Sequence, residues 1–106
     1  MTFNEPPARI VVPLPEDLPR ELVSEYLADC QHDLLALQAA LAQRDYGRMR
    51  VFGHQMKSTG SPYGFPDLTT LGTAMEQAAA CKDASELARV VHRLEQYLSR
   101  VELAAD

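Results

Sequence analysis

Apolar residues recur at steps of three and four along four stretches of the chain, which is the spacing of one face of a helix. The first stretch covers about 16–47, and the second starts near Asp45 and ends at Pro62–Gly64. The third starts at Pro66 and the fourth follows Ser85. Four amphipathic helices with short connections favour an all-α fold, an antiparallel four-helix bundle with a short N-terminal extension. Another small all-α packing, such as a dimerising hairpin, stays open, and no stretch has a convincing sheet pattern.

Each predicted helix has an apolar stripe that we expect to face the core. The first stripe consists of Leu18, Leu22, Tyr26, Cys30, Leu34, Leu37 and Leu41. The third consists of Phe65, Leu68, Leu71, Met75 and Ala79, and the fourth of Leu87, Val91, Leu94, Leu98 and Val101.

The N-terminal residues 1–15 contain Pro6, Pro7, Pro13 and Pro15, and prolines at this density exclude a helix. We expect a tail or linker there, followed by the helical bundle over 16–106. The segment "ARIVV" within it suits either a short extended piece or plain linker.

The chain has 106 residues and a formal net charge of −5, so one acidic domain is expected. An acidic surface argues against nucleic acid and against anionic membranes as partners. No apolar run is long enough to span a bilayer and the N-terminus does not resemble a signal peptide, so we expect a cytoplasmic protein. Cys30 and Cys81 have no metal or redox spacing and suit reduced packing residues.

The second helix places its one histidine away from its core stripe. At about 100° per residue, His54 falls about 140° from Met49. The expected inward side chains are Met49, Phe52, Met56, Thr59 and Tyr63. We therefore expect His54 in mid-helix with its ring directed at solvent.

Short or flexible side chains surround His54 on this outer face. Arg50 lies one turn before it, Ser58 one turn after it and Ser61 two turns after it, while Val51 lies to one side. Small neighbours leave room for a large group to approach the ring. The alternative is an ordinary solvated histidine, since no nearby residue completes a hydrolytic triad or a zinc pair.

Lys57 follows His54 by three residues, where side chains on a helix can meet. A cation there can neutralise a dianionic group carried on the imidazole. The other histidines, His32 and His92, lack small neighbours of this kind and are interpreted as ordinary helix residues.

The segment "HQMKSTGSPYGFPDLTTLGTAMEQA" resembles the histidine-containing phosphotransfer (HPt) domain family. The matching positions are His54, Met56, Lys57, Thr59, Gly64, Leu68, Leu71, Met75 and Glu76. The family has glycine where this chain has Ser58. The resemblance implies a phosphorelay carrier between receiver domains, downstream of a sensor or hybrid histidine kinase, without autonomous kinase activity or a cofactor of its own.

The resemblance also implies a role for each matching residue. His54 is the nucleophile, attacking through Nε2 of the neutral ring, and Lys57 screens the phosphoryl oxygens. Glu76 orients His54 through Nδ1–H, although a solvated helix charge is an equally good interpretation. Gly64 permits the sharp exit from the helix, and together with Arg50, Val51, Ser58 and Ser61 it completes the expected docking surface.

Mg²⁺ is expected from the partner receiver, and the chain itself is expected to be a monomer. The alternative function is a helical adaptor that binds receivers or kinases without being phosphorylated. An enzyme with its own hydrolytic or metal chemistry has little support, because no carboxylate cluster or ligand spacing is present.

Overall fold

The computed structural model describes residues 8–105 and contains four helices and two short strands in that part of the chain. They are β1 (Ile10–Val12), α1 (Arg20–Ala42), α2 (Tyr46–Thr59), α3 (Pro66–Ala80), α4 (Ala84–Arg100) and β2 (Val101–Leu103). Each helix packs against the two that neighbour it in a ring, α1 against α2 and α4, and α3 against α2 and α4. The predicted all-α four-helix bundle with a short N-terminal extension is therefore confirmed. The division of the chain at residue 16 stays a prediction.

The helix starts follow local capping chemistry. The carboxylate of Asp45 accepts from the backbone N–H of Arg48 at 3.1 Å, and that of Asp83 accepts from the backbone N–H of Glu86 at 3.0 Å. Each contact satisfies one of the free N–H groups at the start of α2 or α4. Pro66 is the first residue of α3, where its missing N–H costs nothing.

The helices bury a continuous apolar core. Its fully buried large side chains are Val23, Leu37, Met49, Phe65, Leu68, Met75, Leu87, Val90 and Leu94. The expected stripes of α3 and α4 lie in or against this core. Within residues 8–105, no helix combines the length and hydropathy that a bilayer-spanning segment requires.

The predicted stripe of α1 was wrong at its N-terminal end. Leu22 is 38% exposed, whereas its neighbour Val23 is fully buried. The helix begins at Arg20, after a separate turn over 16–18, and its buried residues Val23, Cys30 and Leu37 follow a spacing of seven. A step of four taken from Leu18 across that turn therefore selected the wrong side chain.

A parallel pair of strands joins the two ends of the described chain, which we had not predicted. Ile10 pairs with Val101, and Val12 pairs with Leu103. Val12 is only 8% exposed, so this part of the N-terminal segment packs onto the bundle. Val101 was expected to continue α4, but its backbone is extended (φ −72°, ψ 138°) while its side chain stays buried. Because Val101 is buried in the strand, the apolar spacing of α4 continues one residue beyond the end of the helix.

Glycines let α2 and α3 approach each other closely. A Cβ at Gly53 would lie 2.6 Å from the backbone nitrogen of Glu76, and one at Gly72 would clash with the backbone nitrogen of Lys57. Gly60 is likewise packed against the backbone at the start of α3. Gly53, Gly60 and Gly72 therefore serve helix packing, whereas the small residues expected to leave room around His54 are Ser58 and Ser61.

Candidate functional site

His54 stands on the outer face of α2, with 63% of its side chain exposed. Four of the five residues expected to turn inward do so: Met49 and Met56 are buried, and Phe52 and Tyr63 pack against the core. The fifth, Thr59, is only half-buried, and its hydroxyl shares a hydrogen bond of 2.8 Å with the hydroxyl of Tyr26. The imidazole is therefore held on a rigid helix whose opposite face is anchored in the bundle.

Glu76 on α3 contacts the imidazole directly. Its Oε2 lies 2.7 Å from Nδ1 of His54. An ionised carboxylate has only acceptors, so the ring donates from Nδ1, and in the neutral ring Nε2 carries the free lone pair. The contact fixes both the orientation of the ring and the nitrogen that is available to react.

The same carboxylate accepts from Lys57. Nζ of Lys57 donates to Oε1 of Glu76 at 2.8 Å, and the Glu76 side chain is 21% exposed. The hydrogen bonds from Lys57 and then from His54 hold the pKa of Glu76 below its usual value of 4.5. The carboxylate is consequently ionised at neutral pH, as an acceptor for both groups must be.

The three side chains form a chain of contacts, His54–Glu76–Lys57, that depends on the glycine-mediated approach of α2 and α3. The sequence model of the Hpt domain family matches residues 21–103. The chain belongs to the Hpt domain family. Hpt domains take part in histidine phosphotransfer within phosphorelays, as phosphocarriers that interact with receiver domains and histidine kinases. No curated protein and no solved structure matches the chain significantly.

The face of this Hpt domain around His54 contains some of the expected docking residues. A shallow depression beside the ring is lined by Arg50, Val51, Gln55 and Glu76. Val51 is 56% exposed and gives this depression an apolar side chain that a partner could cover. Gln55 was missed by sequence reasoning, although it lies one helical turn after Val51 and could have been assigned to this depression.

Ser58 and Ser61 are exposed, one and two turns beyond His54. The hydroxyl of Ser58, which stands where the Hpt family has glycine, donates to the backbone carbonyl of His54 at 2.9 Å. Its proton is thus engaged by the helix itself, and the side chain stays folded back against α2.

Gly64 lies apart from the His54 depression. Its φ of 95° is the left-handed conformation that suits a sharp exit from a helix. A Cβ there would lie 2.8 Å from Cγ of Pro15. Gly64 therefore contacts the N-terminal segment, and its place in a docking surface stays a prediction.

Proposed function

We propose that this Hpt domain accepts a phosphoryl group on Nε2 of His54 from the phosphoaspartate of a receiver domain and passes it to the aspartate of another receiver. The observation that carries the proposal is the hydrogen bond between Nδ1 of His54 and Glu76, which leaves Nε2 free on an exposed face. Within residues 8–105, neither His32 nor His92 has a ring nitrogen hydrogen-bonded to a carboxylate.

The transfer needs little from this chain beyond positioning. The lone pair of Nε2 attacks phosphorus, the P–N bond forms, and the P–O bond to the receiver aspartate breaks, which releases its carboxylate. The proton stays on Nδ1, where Glu76 stabilises the charge that develops on the ring. Phosphoryl transfer relies on in-line placement and charge neutralisation, which an open helical face can provide.

Lys57 lies one helical turn from His54 and supplies a positive charge to the phosphoryl oxygens. In the unphosphorylated structure this charge is held by Glu76 at 2.8 Å. A dianionic phosphoryl group competes with the carboxylate for Lys57, and charge-assisted contacts to phosphate oxygens are strong. Lys57 thus has a partner both before and after transfer.

Mg²⁺ is expected at the acidic site of the receiver. The Hpt domain is expected to act as a cytoplasmic monomer, without autonomous kinase activity. It makes no use of nucleic acid, of a membrane or of a cofactor of its own.

The test is transfer from a panel of phosphorylated receiver domains, in the presence of Mg²⁺, to wild type and to His54→Gln. We expect wild type to gain a phosphoramidate that is lost in acid and retained in base, and His54→Gln to gain none. Circular dichroism should show the same fold and a stability within about 0.5 kcal/mol, because the substitution is on the surface. Label on the variant, or no label on wild type from any receiver, would exclude this function and leave the unphosphorylated adaptor.

A further inference from the structure

A groove of about 370 Å³ runs between α1 and α2 on the side of the bundle next to His54. Its lining includes Tyr26, Asp29 and Asp33 of α1 and Phe52, Gln55 and Met56 of α2. Tyr26, Phe52 and Met56 give it an apolar floor, since each packs in or against the core. Such a groove can receive a side chain rather than only contact a flat surface.

Two acidic side chains, Asp29 and Asp33, stand at the wall of this groove, one helical turn apart on α1. Within residues 8–105, neither forms an ion pair with a lysine or arginine, and the neighbouring His32 offsets only part of the charge repulsion at Asp33. Burial, and then the charge of Asp29, raise the pKa of Asp33. A cation placed in the groove would act in the opposite direction, because a nearby positive charge favours the ionised carboxylate.

The groove is continuous with the site of phosphorylation. Gln55 lines both the groove and the depression around His54, so a partner that covers His54 also reaches the groove. The opposite flank of His54 carries the cations Arg50 and Lys57. Glu76 offsets Lys57 on the α3 side, and the guanidinium of Arg48 lies 5.8 Å from the ring centroid of Phe52 on the groove side. With these two charges counted, Arg50 still leaves the α3 side net positive, and Asp29 and Asp33 still leave the α1 side net negative.

We propose that Asp29 and Asp33 determine partner specificity by receiving a lysine or arginine side chain of the docked receiver domain in the α1–α2 groove. This inference rests on the proposed function of His54. Apolar side chains next to that cation would cover Tyr26 and Phe52. The acidic phosphorylation site of the receiver would meet the positive flank, so two charge contacts of opposite sign would fix the rotation of the receiver over His54.

Such an arrangement acts on recognition rather than on the chemical step. Complementary charges at the edge of an interface mainly affect association and the rejection of wrong partners. Asp29 and Asp33 are therefore expected to influence the KM for the receiver, while the rate of transfer within the bound complex depends on His54 and its neighbours.

The experiment compares wild type with Asp29→Asn/Asp33→Asn, using the phosphorylated receiver that labels wild type fastest. The control is Glu95→Gln, which removes the charge of an exposed carboxylate from α4, outside the groove. We expect the KM for the receiver to rise about tenfold in the double variant, while the maximal rate of transfer stays within about twofold. Glu95→Gln should leave both unchanged, and the rise in KM should shrink at high salt.

A charge exchange identifies the occupant of the groove. Asp33→Lys should impair transfer from that receiver, and replacing one lysine or arginine of the receiver by glutamate should restore it. Because Asp29 is exposed, the single variant Asp29→Asn keeps the test valid if a change at Asp33 disturbs folding.

The possible failures are distinguishable. If no receiver labels His54, the proposed function itself fails and this inference falls with it. If labelling is normal but the double variant keeps the wild-type KM, or if Glu95→Gln raises KM equally, only the role of the groove is excluded. If instead the double variant abolishes a dimer seen by sedimentation, a second copy of this chain occupies the groove and a receiver does not.

Discussion

Oε2 of Glu76 lies 2.7 Å from Nδ1 of His54 and joins a side chain of α3 to the outer face of α2. The backbones that carry the two side chains meet at Gly53, the residue immediately before His54, where a Cβ would lie 2.6 Å from the backbone nitrogen of Glu76. The geometry of the exposed ring is thus set by the packing of two helices beneath it.

We predict that Glu76→Ala allows the neutral ring of His54 to adopt both tautomers. Without an acceptor at Nδ1, the neutral ring samples both tautomers, and Nε2 is free for only part of the time. The ¹⁵N chemical shifts of the ring should show one tautomer in wild type and a mixture in the variant. Transfer should slow about tenfold, the effect of one charge-assisted hydrogen bond. Glu76→Gln, which keeps an acceptor oxygen, should recover part of the rate, and an unchanged tautomer in Glu76→Ala would contradict the assignment.

For Lys57→Ala we expect transfer to slow by about ten- to a hundredfold with the fold intact, because one charge-assisted contact to the phosphoryl group is lost. The ring of His54 should keep its wild-type tautomer, since Glu76 is still present. This result would distinguish the roles of the two side chains, because Glu76 acts on the ring, whereas Lys57 acts on the phosphoryl group. Arg93→Ala, which removes an exposed cation from α4, is the control. Equal rates in Lys57→Ala and wild type would show that Lys57 is only a surface charge.

The carboxyl group of Glu76 should titrate below 4.5, its usual pKa. A carboxyl group whose pKa is lowered on folding contributes stability above its unfolded pKa, and this contribution disappears as the pH falls through the folded pKa. The contacts to His54 and Lys57 should therefore persist at neutral pH and be lost only in acid. The titration can be followed by ¹³C NMR of the carboxyl carbon. The midpoint should move upward in Lys57→Ala, whose hydrogen bond is the largest cause of the lowered pKa, and a wild-type midpoint above 4.5 would disprove this account.

The exposure of His54 could be predicted because α2 has a regular helical period, and the side chains Met49 and Met56 define its buried face without any tertiary information. The contact with Glu76 required the family resemblance, since the two residues lie on different helices. The pairing of Lys57 with Glu76 was not predicted, because only the close approach of α2 and α3 brings the two groups together.

The strand pair was beyond sequence reasoning for a different reason. Ile10–Val12 and Val101–Leu103 are three residues each, too short to show an alternating pattern, and they lie at opposite ends of the described chain. Prolines beside β1 indicated an extended conformation but gave no information about its partner.

The strand pair provides a stability prediction with a control at the adjacent residue. Val12 is 8% exposed and belongs to the core, whereas Val11 is 57% exposed. We expect Val12→Asp to lower the free energy of unfolding by about 2–3 kcal/mol, because it places a charge against apolar neighbours. Val11→Asp makes the same chemical change in solvent and should stay within about 0.5 kcal/mol. The measurement is urea unfolding of both variants. If Val12→Asp lowered the free energy of unfolding as little as Val11→Asp is expected to, β1 would not stabilise the bundle.

Gly53→Ala tests whether helix packing sets the geometry of the site. Helix propensity alone favours alanine over glycine by up to about 1 kcal/mol. Gly47→Ala, also in α2, should show a gain of this kind, because the nearest atom to a Cβ there is 3.9 Å away. At Gly53 the new methyl group would meet the backbone of α3 at Glu76, so the helices must separate, and overpacking of this kind costs about 1–3 kcal/mol.

Separation of the helices at Gly53 should also draw Glu76 away from His54. We therefore expect Gly53→Ala to lower the unfolding free energy, to produce the mixed tautomers of Glu76→Ala and to slow phosphotransfer, although no side chain of the site has been changed. Gly47→Ala should alter neither the tautomer nor the rate. If Gly53→Ala were as stable as Gly47→Ala and transferred at the wild-type rate, the close contact of α2 and α3 could not be what holds His54 and Glu76 together.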